Sequence, residues 1–186
     1  MAPGKPPKRI RPEGAARYDL LWAPWRSDYL QRAGSGRLNK CIFCFGRTGA
    51  AGRRKRLVLH AGAHALVMLN RYPYNSGHLM VAPRRHVASP ELLTPEELAA
   101  TSQLVAFGVA RLRAAYRPNG LNVGANLGRA AGAGFADHMH WHLVPRWEGD
   151  TNFMPVLGLT RVLSQRLEDT FALLEPMFRE LDTKTL

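Results

Sequence analysis

Cysteine is nearly absent from this 186-residue chain: there are two, Cys41 and Cys44. Two cannot build a disulfide framework. Long apolar runs are also missing, and none approaches the roughly 18–20 residues that a membrane helix needs. The N-terminus lacks the apolar stretch of a secretory signal. Its basic leader is broken by Pro3, Pro6, Pro7 and Pro12, which disfavours a mitochondrial transit peptide. These absences lead to the expectation of a cytoplasmic protein with no membrane partner. Acidic residues are scarce, 14 Asp and Glu against 26 Lys and Arg. No aromatic residues interleave with the basic runs, so specific nucleic-acid readout is not indicated.

The positive charge is concentrated in two places. Residues 1–17 hold Lys5, Lys8, Arg9, Arg11 and Arg17 against Glu13 alone, and Arg53-Arg54-Lys55-Arg56 forms the second run. Both read as solvated, mobile segments or as attractors of polyanions such as polyphosphate nucleotides. The composition of residues 1–17 predicts a disordered basic tail. Bulky residues from Tyr18 onward, including Leu20, Leu21, Trp22 and Trp25, open a single domain spanning 18–186. The Cys41-Ile-Phe-Cys44 pair reads as half of a metal site or as a redox pair.

Residues 46–56, with Gly46, Gly49 and Gly52, read as a loop. Short apolar runs at 57–60, 64–69, 77–83, 121–125 and 138–145 read as strands. Thr94, Pro95 and Glu97 form a capping box that opens a helix. Leu98, Val105, Val109, Leu112 and Tyr116 give that helix one apolar face, and Pro118 with Asn119-Gly120 ends it. A last helix is expected from about Thr160, with Leu163, Leu167, Phe171 and Leu174 on one side and Pro176 kinking or ending it. The class is α+β, with a mainly antiparallel sheet, one long central helix and a C-terminal helix.

The densest chemistry lies in His138-Met139-His140-Trp141-His142. On a strand, alternate side chains share a face, so the three imidazoles point one way with Cα atoms roughly 6–7 Å apart. A neutral imidazole offers a lone pair for phosphorus or metal. Its pKa of about 6.5 lets both protonation states exist near neutrality. Three on one face can divide the roles of nucleophile, phosphate donor and orienting group. A metal-binding stripe is the rival reading. The loop just upstream, Asn126 to Gly134, contains Gly128, Gly132 and Gly134. Such loops expose N–H groups that can cradle an anion, although this one lacks the Gly-Lys-Ser/Thr of a P-loop.

The run His138-Met-His-Trp-His142-Leu-Val resembles the signature of the histidine-triad (HIT) superfamily. Cys41 to Cys44, Asn70-Arg-Tyr-Pro73, Gly77-His78-Leu-Met-Val-Ala-Pro83-Arg-Arg-His86 and Asn126 to Arg146 follow in that family's order. Trp22-Ala-Pro-Trp25-Arg and Val144-Pro-Arg-Trp147-Glu-Gly-Asp-Thr-Asn-Phe153 are similar to the branch of bacterial diadenosine tetraphosphate phosphorylases. The resemblance implies a HIT-like fold with a C-terminal extension. It also implies an enzyme that transfers a nucleotidyl group from a dinucleoside polyphosphate through a nucleotidyl-histidine, by phosphorolysis with inorganic phosphate. Hydrolysis of such substrates or of nucleoside phosphoramidates is the alternative activity, and a zinc-stabilised nucleotide- or nucleic-acid-binding module is the non-enzyme alternative.

The roles implied are His140 as nucleophile, His142 as phosphate contact and His138 as the third catalytic-site histidine. Asn70 would contact ribose. Asn126 and the backbone of Gly132, Ala133 and Gly134 would stabilise developing charge. Many relatives place a Ser or Gln side chain in that loop where this chain has Ala133 and Gly134, so a backbone contact would have to replace it. Zinc-bearing relatives imply a structural zinc on Cys41, Cys44, His86 and His138. His78 matches a position behind the site. A homodimer is implied as well.

Overall fold

The computed structural model describes residues 41–46, 48–150 and 164–183. The expected basic tail, Trp22, Trp25, Leu163 and most of the extension after Trp147 lie outside them.

The five apolar runs pair as one antiparallel sheet. The strands are β1 (Val58–Ala61), β2 (Ala65–Leu69), β3 (Leu79–Pro83), β4 (Gly120–Ala125) and β5 (Trp141–Arg146), in the order β1-β2-β3-β5-β4. Every residue of β2 and β3 is buried, because unbroken apolar runs need cover on both faces of a sheet. Alternation sorts those side chains. Leu59, Val67, Leu69, Leu79, Val81 and Leu143 face the main core. Val58, Leu66, Met68, Met80 and Ala82 face the other side, against Phe43. His142 sits opposite Met80 in the ladder and therefore belongs to the Phe43 side.

The main core is covered by α2 (Pro95–Tyr116) and α3 (Leu167–Phe178). Two shorter helices, α1 (Ala50–Arg56) and α4 (Glu180–Thr183), complete the described elements. The α+β expectation holds. Helix α1 corrects the loop reading of 46–56. Ala50, Ala51 and the four cations are good helix formers, and cations in a last turn suit the negative end of the helix dipole. Arg71 Nη2 also donates to the Lys55 carbonyl at 3.1 Å.

The capping box of α2 is present: Thr94 Oγ1 accepts from Glu97 N–H, and the Glu97 carboxylate accepts from Thr94 N–H at 2.9 Å. Arg85 adds two hydrogen bonds to that carboxylate, at 2.8 and 2.6 Å. With the Thr94 N–H, it holds the Glu97 pKa down to about 2. Of the expected apolar face, Val105, Val109, Leu112 and Tyr116 pack against the main core and Leu98 turns outward. Glu97, Thr101, Leu104, Gly108 and Leu112 are buried, while Leu98 is 45% exposed. Close approach to the sheet explains this, since a Cβ on Gly108 would lie 2.8 Å from Leu143 Cδ2. Small residues therefore face the sheet alongside the bulky ones that the periodicity picked out.

Helix α3 starts at Leu167, later than the expected Thr160, and Pro176 sits inside its last turn, which runs on to Phe178. Leu104→Ala is expected to cost about 2–5 kcal/mol, as buried leucine truncations do. Leu98→Ala should stay within about 0.5 kcal/mol. Urea unfolding of both variants measures the difference, and equal losses would contradict the outward placement of Leu98.

Candidate active site and metal centre

Strand β5 begins at Trp141, so of the three histidines only His142 lies on the sheet ladder. This corrects the expected strand from residue 138. His138 N–H turns back to the Phe135 carbonyl, and Met139 N–H donates to the Val87 carbonyl at 2.7 Å. Those bonds draw the chain away from β3 and aim the rings differently.

His138 is fully buried. Its Nε2–H donates to the Pro83 carbonyl at 3.0 Å. The Nδ1 lone pair then faces Cys41 Sγ at 3.2 Å, Cys44 Sγ at 3.5 Å and His86 Nδ1 at 3.2 Å. Cys44 Sγ and His86 Nδ1 are 3.3 Å apart. The four ligand atoms all lie within 4.8 Å of one another. A tetrahedral ion with metal–sulfur and metal–nitrogen bonds of about 2.3 and 2.0 Å needs its ligands roughly 3.3–3.8 Å apart. The donor set fits: two thiols and two ring nitrogens converge in a group that could hold such an ion. The four residues expected to share a metal are thus together.

His140 is 3% exposed. Its Nδ1–H donates to the His138 carbonyl at 3.0 Å, which leaves the lone pair on Nε2. Burial holds its pKa below the ordinary histidine value. The Phe43 ring, seated between the two cysteines, packs 5.0 Å from the His138 ring and 4.8 Å from the His140 ring. It contacts Phe135 edge-on as well.

The tautomer of His142 follows from its neighbour. Tyr74 N–H donates to His78 Nδ1 at 3.1 Å, so His78 Nε2 carries the proton. That N–H donates to His142 Nδ1 at 2.9 Å, leaving His142 Nε2 as an N–H donor. Burial, then the adjacent His140, lowers the His142 pKa to about 4, in keeping with a neutral ring. His78 is 1% exposed and belongs to the site. Sequence reasoning gave it no firm role because one histidine before a strand carries no signal of its partner.

Asn70 follows β2 and is tied in by its N–H to the His78 carbonyl at 3.0 Å, while its Oδ1 accepts from Tyr72 N–H at 2.9 Å. The β4–β5 ladder, with Gly124 opposite His142, ends at Ala125 opposite Trp141, and Asn126 is the residue that follows it. In the glycine-rich loop, Gly128 and Gly132 adopt positive φ. Gly132 N–H donates to the Arg129 carbonyl at 2.9 Å, and Ala133 N–H to the Gly128 carbonyl at 3.3 Å. Two of the three expected amides therefore close the loop on itself, and Gly134 follows them toward the triad.

Residues 53–149 match the HIT domain family. The chain is 39% identical over 158 residues to a Mycobacterium tuberculosis protein named AP-4-A phosphorylase, covering 83% of this chain and 81% of that one. A Zn-bound histidine triad family protein from Mycobacterium smegmatis superposes with a TM-score of 0.54 at 25% identity, covering 68% of this chain and 86% of the other. A hypothetical histidine triad nucleotide-binding protein from Sulfolobus tokodaii gives a TM-score of 0.55 at 26% identity, with coverages of 75% and 90%.

The depressed His142 pKa makes stability depend on pH. The unfolded ring takes its proton near pH 6.5 and the folded ring near 4, so the unfolded state binds more protons between them. Stability from the neutral ring is complete above pH 6.5 and is lost as pH falls through about 4. Thermal midpoints recorded across that window should fall more steeply for wild type than for His142→Asn. Parallel curves would show that the ring titrates alike in both states.

Proposed function

The chain belongs to the HIT domain family, and we propose that it cleaves dinucleoside polyphosphates by two-step nucleotidyl transfer, with inorganic phosphate as the second acceptor. It is a family enzyme, a nucleotidyltransferase or hydrolase. The observation that carries the reading is the pairing of tautomers: a lone pair on His140 Nε2 beside an N–H donor on His142 Nε2.

In the first step His140 Nε2 attacks the α-phosphorus. A phosphorus–nitrogen bond forms, the bond to the bridging oxygen breaks, and the rest of the polyphosphate leaves with that oxygen. His142 Nε2–H donates to a non-bridging α-phosphate oxygen, where charge develops. Asn126 and Gly134 N–H would add donors, and Asn70 would hold the ribose. In the second step an oxygen of inorganic phosphate attacks the same phosphorus and the imidazole leaves. Diadenosine tetraphosphate would thus give ATP first and ADP second. Water in place of phosphate would give AMP, which is the hydrolase alternative. The similarity to a named phosphorylase over most of the chain favours phosphate.

Cys41, Cys44, His86 and His138 would hold zinc. A four-ligand site of this kind leaves no open position, so the ion's contribution is structural. It would anchor the residue whose carbonyl orients His140. A homodimer in the cytoplasm is the expected setting of the enzyme.

Two measurements test this. Diadenosine tetraphosphate supplied with phosphate should yield ATP and ADP, and without phosphate should release no more than about one ATP per active site. Phosphate-independent cleavage would point to the hydrolase, and His140→Ala should lower turnover by about 10³-fold or more. Zinc measured by inductively coupled plasma mass spectrometry is expected at about one per chain, and Cys44→Ser should lose both the metal and thermal stability. A metal-free wild type of unchanged stability would refute the zinc assignment.

A further inference from the structure

The Trp147-Glu-Gly-Asp150 segment after β5 is bonded into the loop that carries His78. Asp150 N–H donates to the Trp147 carbonyl at 3.1 Å, and Gly149 turns the chain with φ of 73°. The turn folds the Asp150 carboxylate inward, where its side chain is 10% exposed. It accepts from Arg146 Nε and Nη2 at 2.7 Å each, from Trp147 N–H at 3.1 Å and from Asn75 Nδ2 at 3.0 Å.

An exposed Arg–Asp pair alone is worth about 0–1 kcal/mol. Asn75 is what links this pair to the site. Its Nδ2 also donates to the Pro145 carbonyl at 3.2 Å, and its Oδ1 accepts from Ser76 N–H at 3.1 Å. Its carbonyl accepts from His78 N–H at 3.2 Å. Gly77 packs the loop tightly here. It has φ of 79°, and a Cβ on it would lie 2.8 Å from Tyr116 Cε2 and 3.2 Å from Pro145 Cγ. The segment from Tyr74 to His78 is therefore held against the end of β5 by Asn75, and Asn75 by Asp150. Within that same segment, Tyr74 N–H sets the tautomer of His78, and His78 sets that of His142.

We propose that Asp150 and Asn75 are positioning residues for the reaction. They clamp the Tyr74–His78 loop to the end of β5 so that His142 is presented as an Nε2–H donor. The proposal rests on the nucleotidyl-transfer reading for what the donor acts on. The tautomer itself is a property of the resting protein.

Asp150→Asn and Asn75→Ala test it, the second leaving the Arg146–Asp150 pair in place should the first fail to fold. Nitrogen-15 NMR of labelled imidazoles should show wild-type His142 as a single Nε2–H tautomer. Each variant should show a mixture with Nδ1–H. Turnover number should fall about 10–100-fold with KM little changed, as for a small misplacement of a reacting group. Metal content should match wild type. A variant with wild-type turnover, or one with reduced turnover and an unaltered His142 tautomer, would overturn the proposal. A wild type that turns over no nucleotide would instead count against the function, while the tautomer comparison would still decide the clamp.

Discussion

One nitrogen of each triad imidazole is committed to a neighbour in the protein, and the chemistry of the other nitrogen follows. His138 gives its Nε2 proton to Pro83 and turns a lone pair to the cysteines. His140 gives its Nδ1 proton to the His138 carbonyl and keeps a lone pair on Nε2. His142 accepts on Nδ1 and so carries a proton on Nε2. Three identical side chains thereby present three different faces, and the proposed roles of ligand, nucleophile and donor rest on that difference. Burial reinforces the division by pushing all three pKa values down, which favours oriented neutral rings over a fixed cation. Such preorganised donors need little rearrangement when charge develops.

The fold exists in two halves around the sheet, and the site occupies the smaller half. The main core, under α2 and α3, holds β3 and β5 in register. The other face is built on Phe43, which packs on His138 and His140 from between the two cysteines. The two cysteines, His138 and His140 therefore share one wall. Arg85 extends this arrangement to α2, since its bonds to Glu97 fasten the start of that helix to the residue before His86. One carboxylate caps a helix and steadies the loop bearing a metal ligand.

Much of this was legible in the sequence, for physical reasons that can be stated. Strict alternation of histidine marked the candidate site, the Cys-x-x-Cys spacing marked half of a cluster that could hold a metal, and Thr94-Pro95 with Glu97 marked a helix start. What failed depended on tertiary contacts. Alternation suggested a strand through His138, but the bond from Met139 to Val87 takes that segment off the ladder. Bulky periodicity placed Val105, Val109, Leu112 and Tyr116 on the core side correctly but also placed Leu98 inward, and it gave no sign of the close approach at Gly108. Glycines suggested a loop at 46–56, where alanines and cations form a helix. His78, Asn75 and Asp150 matter through partners far along the chain, and no local pattern announces such pairs.

The central claim is that His140 Nε2 is the atom that takes the nucleotidyl group. Enzyme mixed with diadenosine tetraphosphate in the absence of phosphate, quenched in alkali and digested, can be mapped by tandem mass spectrometry. The account predicts an adenylyl mass on His140 that disappears when phosphate is added before the quench. An adduct on His142 or another residue, or none under conditions where turnover proceeds, would contradict it.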